Sequence, residues 1–325
     1  MTARVSLGAR IHLGFLNLSL GRNRLYGGIG FGLEQPRTVV RAKRADTVRC
    51  EHDRAGPYAE RVVDRLGLPG AAVTVESTLP AHVGLGSGTR LALTVLAAIA
   101  DAYDRPRDLR EHAPALGRGG RSGVGVATAE DGGFVVDAGH PTTVFTSRQP
   151  ERGTWTVPPV AVRRSVPRSW RVVIAVPATG TGRSGGDEDE AMREAVERAD
   201  ATVADRVARQ LFDGALAGLA TGDRALFGEG AAGIDRANGA WYADLQGGLY
   251  RPPAGQVVEM LENAPGVTGV GQSSWGPAVW AITDAATVEE VVTVAEDALA
   301  ALGDGGTVHA SRVATGGLRE EPRKG

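Results

Sequence analysis

The segment Pro80-Ala81-His82-Val83-Gly84-Leu85-Gly86-Ser87-Gly88-Thr89 carries the residue types best suited to holding an anion. Its glycines let backbone N–H groups turn towards a negative group with no Cβ in the way, while Ser87 and Thr89 add hydroxyl donors and can cap a helix. Before it, Ala72 to Ser77 alternates apolar and polar residues as a half-buried strand does; after it, Leu91 to Ala100 is built of helix formers and other apolar residues. A strand, a glycine turn and a helix in that order aim the positive end of the helix at the turn. Gly84, Leu85, Gly86, Ser87, Gly88 and Thr89 therefore read as a phosphate cradle, set against the plainer reading of a strand-to-helix turn that binds nothing. No Lys follows the glycines, which excludes the Gly-x4-Gly-Lys-Ser/Thr loop.

Three further groupings accompany the cradle. In Ala9 to Leu18, Arg10 and His12 fall on one face of a strand by period-two alternation, with Asn17 near its end. They offer donors to an anion, or else a core histidine and a surface arginine. Gly117 to Val126 sets Arg118, Arg121 and Ser122 among glycines, a composition for a second phosphate or carboxylate site or for a solvated loop. Gly269 to Pro277 places Ser273, Ser274 and Trp275 in a small-residue turn between strands, where backbone can approach a ligand or another domain closely. The run Gly27-Gly28-Ile29-Gly30-Phe31-Gly32 is no dinucleotide fingerprint, because no helix follows and Pro36 arrives too soon. Asp187 to Glu190 reads as a Mg²⁺ site on a diphosphate or as the solvated start of a helix, and the dispersed histidines lack metal-ligand spacing.

These groups need elements to hold them. Arg4–Leu7, Ile11–Leu20, Ile29–Leu33 and Thr38–Ala42 are expected as four short strands in a meander, followed by a helix at Tyr58–Leu66, strand 72–77 and the cradle helix to about Tyr103. A short helix at Arg107–Leu116 and strands at Ser122–Val126 and Gly133–Asp137 complete the first unit. Prolines 150, 158, 159 and 167 mark a boundary. Beyond it come a strand at Trp170–Val176, a long helix at Asp187–Leu219, helices at Asp223–Ala237, Val257–Asn263 and Val288–Leu302, and strands at 267–270, 278–283 and 307–313. The expectation is an α+β chain in two domains, 1–155 and 165–325.

With 325 residues and 42% hydrophobic content the chain can bury two cores of ordinary size. A net charge of -2 with interspersed signs gives no electrostatic footprint for nucleic acid or anionic lipid, so small-molecule partners are expected. The single Cys50 excludes an intramolecular disulfide and a thiolate metal cluster. No stretch of about 18 apolar residues occurs, and a cytoplasmic chain without membrane insertion is expected.

The cradle, the Arg10 strand and the turn at 269–277 resemble, in order and spacing, the three motifs of the GHMP kinase superfamily. With Arg10-Ile11-His12-Leu13-Gly14-Phe15, Gly120-Arg121-Ser122-Gly123-Val124-Gly125, Gly132-Gly133-Phe134-Val135-Val136-Asp137 and Gly271-Gln272-Ser273-Ser274-Trp275-Gly276-Pro277, the chain is similar to the β-ribofuranosylaminobenzene 5′-phosphate synthase branch. The resemblance implies a two-domain fold, a ribosomal protein S5 domain 2-like N-terminal half and a ferredoxin-like C-terminal half, with the site between them and a homodimeric assembly. It also implies the joining of 5-phosphoribosyl 1-diphosphate to 4-aminobenzoate or a similar aromatic acid, with loss of CO₂ and diphosphate, on the way to methanopterin-type pterins. Where the kinases carry Ser-Gly-x-Asp with a basic Asp, this chain has Ser122-Gly123-Val124-Gly125, so phosphoryl transfer would need another carboxylate such as Asp137. The implied site comprises Arg10, His12, Asn17, Arg121 and Asp137 as catalytic groups, the cradle with Ser122, Ser273 and Ser274 as binding groups, and Mg²⁺ on the diphosphate. An ATP-dependent small-molecule kinase and a non-catalytic ligand-binding member are the alternatives.

Overall fold

The computed structural model describes residues 2–146, 150–178 and 186–322, with residues 186–188 described by backbone alone. The N-terminal meander is a single hairpin of two long strands, β1 (Thr2–Asn17) and β2 (Arg24–Arg44), paired from Thr2↔Lys43 to Asn17↔Tyr26. Four short strands were expected because Gly, Asn and Pro residues read as breaks; Gly8, between the first two, sits instead at a bulge, as does Gly14, and at both the register shifts and the ladder continues. The first bulge has a packing consequence. Val5 and Leu7 enter one core, whereas Ala9, Ile11 and Leu13, of the same parity, enter another.

Helix α1 (Gly56–Arg65), strand β3 (Ala71–Ser77), helix α2 (Ser87–Ala102), the turn α3 (Leu109–His112), helix α4 (Val124–Asp131) and strand β4 (Phe134–Asp137) follow. Short β5 (His140–Pro141) and β6 (Val160–Arg164) complete a sheet in which β2 pairs with β4 through its first half and with β3 through its second. Residues 122–126 are the start of α4, not a strand. The cause is long-range: the Asp137 carboxylate accepts from Gly123 N at 2.6 Å and Ser122 Oγ accepts from Val124 N at 3.2 Å, which satisfies N–H groups at the helix start.

The second sheet is β7 (Trp170–Pro177), β8 (Gly269–Gln272), β9 (Val279–Asp284) and β10 (Gly306–Ser311), all antiparallel in the order β10-β7-β9-β8. Between β7 and β8 lie α5 (Gly186–Arg198), α6 (Ala201–Arg209), a wide π turn at Gln210–Leu216, α7 (Ala217–Thr221), α8 (Arg224–Gln246) and α9 (Ala254–Glu262), and α10 (Val288–Ala301) joins β9 to β10. The expected helix over 187–219 is thus broken. Asp200 interrupts it by capping α6, its side chain accepting from Thr202 N at 2.8 Å. Helix α8 runs past Ala237 because Asn238 is held on β1, accepting from Phe15 N at 2.7 Å and donating to Phe15 O at 3.0 Å.

One face of the second sheet is covered by α9 and α10. The other shares a continuous core with the first sheet, in which Ile11, Phe31 and Phe134 pack with Ile174, Trp280 and, on α8, Phe227. After β10 the chain returns to the first sheet, through a Leu33↔Val313 bridge and β11 (Arg319–Glu320) beside Val5 and Ser6 of β1. Residues 160–164 and 313–320, outside the first of the two expected segments, therefore complete its sheet.

Candidate active site

A cleft of about 1590 Å³ opens over the cradle, bounded by α1, the loop at 117–122, the segment from His140 to Phe145, α5 and the turn around Trp275. The cradle backbone takes left-handed conformations at Gly84 (φ 95°) and Gly86 (φ 74°), which an L side chain resists. At Gly84 a Cβ would also stand 2.3 Å from the carbonyl oxygen of Ser273. Gly86 itself caps α2, and neither Ser87 nor Thr89 does so; Ser87 Oγ lies 3.2 Å from Arg54 Nη2. Two elements pin the loop in shape. Arg10 donates through N to Leu85 O at 3.2 Å and through Nη1 to Gly84 O at 2.9 Å, and Ser273 Oγ donates to the same Gly84 O at 2.7 Å.

Beside the cradle, His12, Ser122 and Asp137 form a chain of polar contacts running from the cleft into the core. His12 Nε2 lies 3.2 Å from Ser122 Oγ, which lies 3.2 Å from Asp137 Oδ2. Asp137 is fully buried and accepts from the N–H groups of Gly28, Gly123 and Gly139; burial outweighs these bonds and pushes its pKa up to about 6. Ionised at neutral pH, it can only accept, so the one Ser122 proton points to Asp137 and Ser122 accepts from His12 and Val124. This assigns the His12 proton to Nε2. Burial, and next the Arg10 charge, hold the His12 pKa well below 6.5, so the ring is neutral. Gly28 must lack a side chain here, since a Cβ would fall 2.0 Å from Ser122 Oγ.

The two ends of the cleft differ in chemistry. At one end Arg61 and Arg118 flank the Tyr58 ring, and Arg54 reaches Ser87 of the cradle. The other end is lined by Phe15, Tyr26, His140, Phe145, Met192 and Trp275. Arg121 stands between them, paired with Asp189 of α5 and hydrogen-bonded to Tyr26. This lining comes from five separate stretches of chain, and of it only Trp275 was noticeable in the sequence. The 117–123 loop is packed, not loose: Trp155 Nε1 donates to Arg118 O at 2.9 Å, and a Cβ on Gly120 would meet the Trp155 ring at 3.2 Å.

Several expected site residues lie elsewhere. Asn17 is buried in the β1–β2 connection, donating to Ser19 O at 2.8 Å and Arg24 O at 2.7 Å, and does not line the cleft. Leu85 points into the core, and Ser273, fully buried, locks the cradle from behind instead of facing a ligand. Asp137 also sits behind Ser122 and reaches the cleft only through it. Arg10, His12, Arg121, Ser122 and Ser274 do line the cleft, with Gly84, Gly86, Ser87, Gly88 and Thr89. The Gly125 position faces Thr89, where a Cβ would come within 3.1 Å of Thr89 Cγ2. Among the described residues no group of three His, Cys, Asp or Glu side chains is placed to hold a metal, and the cleft offers the carboxylates of Asp189 and Glu190; the side chains of Asp187 and Glu188 lie outside the described residues. No helix among the described residues is long and apolar enough to cross a membrane.

This architecture is the two-domain α+β fold of the GHMP kinases. Residues 55–133 match the GHMP kinases N-terminal domain, and the chain superposes along its length on homoserine kinase from Cytophaga hutchinsonii (TM-score 0.71, 18% identity, covering 98% of this chain and 97% of that one). Galactokinase from Lactococcus lactis is similar in fold too, at TM-score 0.67 and 13% identity, covering 98% of this chain and 95% of that one. Closer in sequence is the beta-ribofuranosylphenol 5'-phosphate synthase of Methanothermobacter thermautotrophicus, 31% identical over 295 residues that cover 86% of this chain and 88% of the relative. Its namesake from Archaeoglobus fulgidus is 36% identical over 180 residues, 54% of this chain and 57% of the relative. The chain belongs to the beta-ribofuranosylphenol 5'-phosphate synthase family and is an enzyme, a transferase.

Proposed function

We propose that the enzyme transfers the 5-phosphoribosyl group of 5-phosphoribosyl 1-diphosphate to the ring of a para-substituted benzoate, a step towards methanopterin-type pterins. The observation that carries this reading is the two-ended cleft, arginines and cradle at one end and aromatic side chains at the other, with Arg121, Ser122 and His12 between. The relatives are named for a ribofuranosylphenol phosphate, which favours 4-hydroxybenzoate over 4-aminobenzoate as acceptor. In the reaction the bond from ribose C1 to the diphosphate oxygen breaks, and the ring carbon bearing the carboxylate forms a bond to C1. The bond to the carboxylate then breaks, CO₂ leaves, and its electron pair restores the aromatic ring. No hydroxyl nucleophile has to be deprotonated, which agrees with a cleft whose cradle lacks an adjacent carboxylate.

The residues act by position and charge. The cradle amides take the departing diphosphate, Arg121 takes the carboxylate of the acceptor, and the aromatic lining holds the ring while excluding water. His12, kept neutral and oriented by Ser122 and Asp137, can accept a proton at Nδ1 from a phenolic hydroxyl and so raise the nucleophilicity of the ring. Mg²⁺, when bound to the diphosphate, would neutralise phosphate charge, with Asp189 and Glu190 as the described carboxylates in reach of the cleft; such ions are commonly held by one or two carboxylates together with substrate phosphates.

The test is incubation of the protein with 5-phosphoribosyl 1-diphosphate and carboxyl-labelled 4-hydroxybenzoate or 4-aminobenzoate. Equimolar diphosphate and labelled CO₂ are expected. ADP production from ATP with a hydroxy acceptor, or tight binding without turnover, overturns the reading in favour of a kinase or a ligand-binding member.

A further inference from the structure

Among the described residues, Arg54, Arg61, Arg118 and Arg152 line the cleft with no carboxylate within ion-pair distance; Arg152 packs on Gly117, and the other three lie nearer the cradle helix. Neighbours are treated differently. Arg121 pairs with Asp189, Arg193 with Glu190 at 3.7 Å, and Arg65, one turn beyond Arg61 on α1, with Glu111 at 3.4 Å. Two of the unpaired guanidinium groups flank one ring, Arg61 at 5.8 Å and Arg118 at 5.4 Å from the centroid of Tyr58, and Arg54 reaches the cradle through Ser87. Arg118 also contacts the Tyr58 hydroxyl, yet its Nε–H is buried with no acceptor. Like charges brought together without a counter-ion repel one another, and a buried donor without an acceptor carries a desolvation penalty. Both penalties vanish when an anion enters.

The cluster is continuous with the cradle. Arg54 reaches Ser87 Oγ at 3.2 Å, and Arg118 packs on Gly88, its Nη2 standing 2.9 Å from where a Cβ would be. Both residues are in the first turn of α2. An anion whose first phosphate rests on the cradle amides therefore meets the guanidinium groups with its second.

We propose that Arg54, Arg61 and Arg118 form a subsite for the terminal phosphate of a diphosphate, with Tyr58 spacing the guanidinium groups, and that they stabilise this group as it departs. The identity of the diphosphate as leaving group rests on the phosphoribosyl-transfer reading; the subsite itself rests on the charges. Isothermal titration of the full chain with inorganic diphosphate, and with ribose 5-phosphate as a monoester, tests it without turnover. Charge-assisted hydrogen bonds of ordinary strength imply that Arg61→Ala and Arg118→Ala each weaken diphosphate binding by roughly 10- to 100-fold. Ribose 5-phosphate affinity holds in both. Arg118→Lys, which keeps the charge but not the planar fork, recovers part of the loss. Should Arg118→Ala not fold, Arg61→Ala, a change on a half-buried helix position, decides alone. Unchanged diphosphate affinity overturns the subsite, and so does an equal loss for ribose 5-phosphate, which would assign the arginines to the 5-phosphate. Arg61-dependent diphosphate binding in a protein that releases no CO₂ would retain the subsite and reject the reaction.

Discussion

Replacing Asp137 by Asn should stabilise the protein at neutral pH while impairing it as an enzyme. Burial raises the carboxyl from 3.8 to about 6 in the folded state, in spite of the bonds from Gly28, Gly123, Gly139 and Ser122. Between those two values the folded protein holds a proton that the unfolded chain has released. Stability therefore falls as pH rises through the window, and the full deficit is present above pH 6. A shift of about two pH units corresponds to about 3 kcal/mol. Asn is the neutral isostere of the protonated acid and does not titrate. Urea unfolding followed by circular dichroism should find variant and parent equally stable near pH 4, and the variant more stable by about 3 kcal/mol at pH 7. Activity should fall by on the order of 10²-fold, because Ser122 loses its ionised acceptor and His12 its enforced tautomer. Stability curves that run parallel from pH 4 to 7 would refute the argument, since they would mean that Asp137 is not held protonated above its unfolded range.

His12 contributes with the opposite sign: with its folded-state pKa depressed, its contribution to stability is lost as pH falls below 6.5, and His12→Gln should remove that contribution, seen as a difference between variant and parent in the same unfolding series. Ser273→Ala removes the donor to Gly84 O and leaves the buried N–H of His12 without its acceptor; a loss of about 2–4 kcal/mol in urea unfolding is expected, together with weaker binding of inorganic diphosphate in titration. Asn17→Ala should cost about 1–3 kcal/mol of stability through the lost bonds to Ser19 and Arg24, with kcat and KM unchanged. Phe145→Ala should raise KM for the aromatic acid about tenfold and leave KM for the donor as it was, which steady-state kinetics with each substrate varied in turn would establish.

Local chemistry made part of this molecule readable from its residues. The cradle was legible because alternation, glycine and a helix pattern meet within one continuous stretch, so its geometry needs no distant partner beyond those that pin it. The face shared by Arg10 and His12 was legible for the same reason, as strand alternation is a property of neighbours. Residues 122–126 were misread because their helical start is satisfied by Asp137, which lies outside that stretch and reaches it only after β4 has paired. Asn17 and Ser273 were expected in the site from their neighbours in sequence and from the family resemblance, yet their polar groups are consumed by backbone partners, Ser19 and Arg24 in one case and Gly84 in the other. The aromatic lining was the hardest to see. Phe15, Tyr26, Phe145 and Met192 are scattered along the chain and ordinary in their own surroundings, and only the docking of α5 and the 140–145 segment over β1 and β2 brings them to one wall.

The return of the chain to its own first sheet has a consequence for how the protein is made. During synthesis the hairpin of β1 and β2 leaves the ribosome early, but the edge of β1 stays uncovered until Arg319–Glu320 is available to pair with Val5 and Ser6. The face of the hairpin that carries Ile11 and Phe31 likewise waits for Ile174, Phe227 and Trp280. The first half of the chain cannot therefore reach its finished state while the second is still being translated, and cutting the polypeptide near residue 165 would leave two fragments that each lack part of their interior. Division of labour in the cleft is paired with shared ownership of the core: neither half is an independent inheritance, and a recombinant piece of either is expected to expose a sticky β edge.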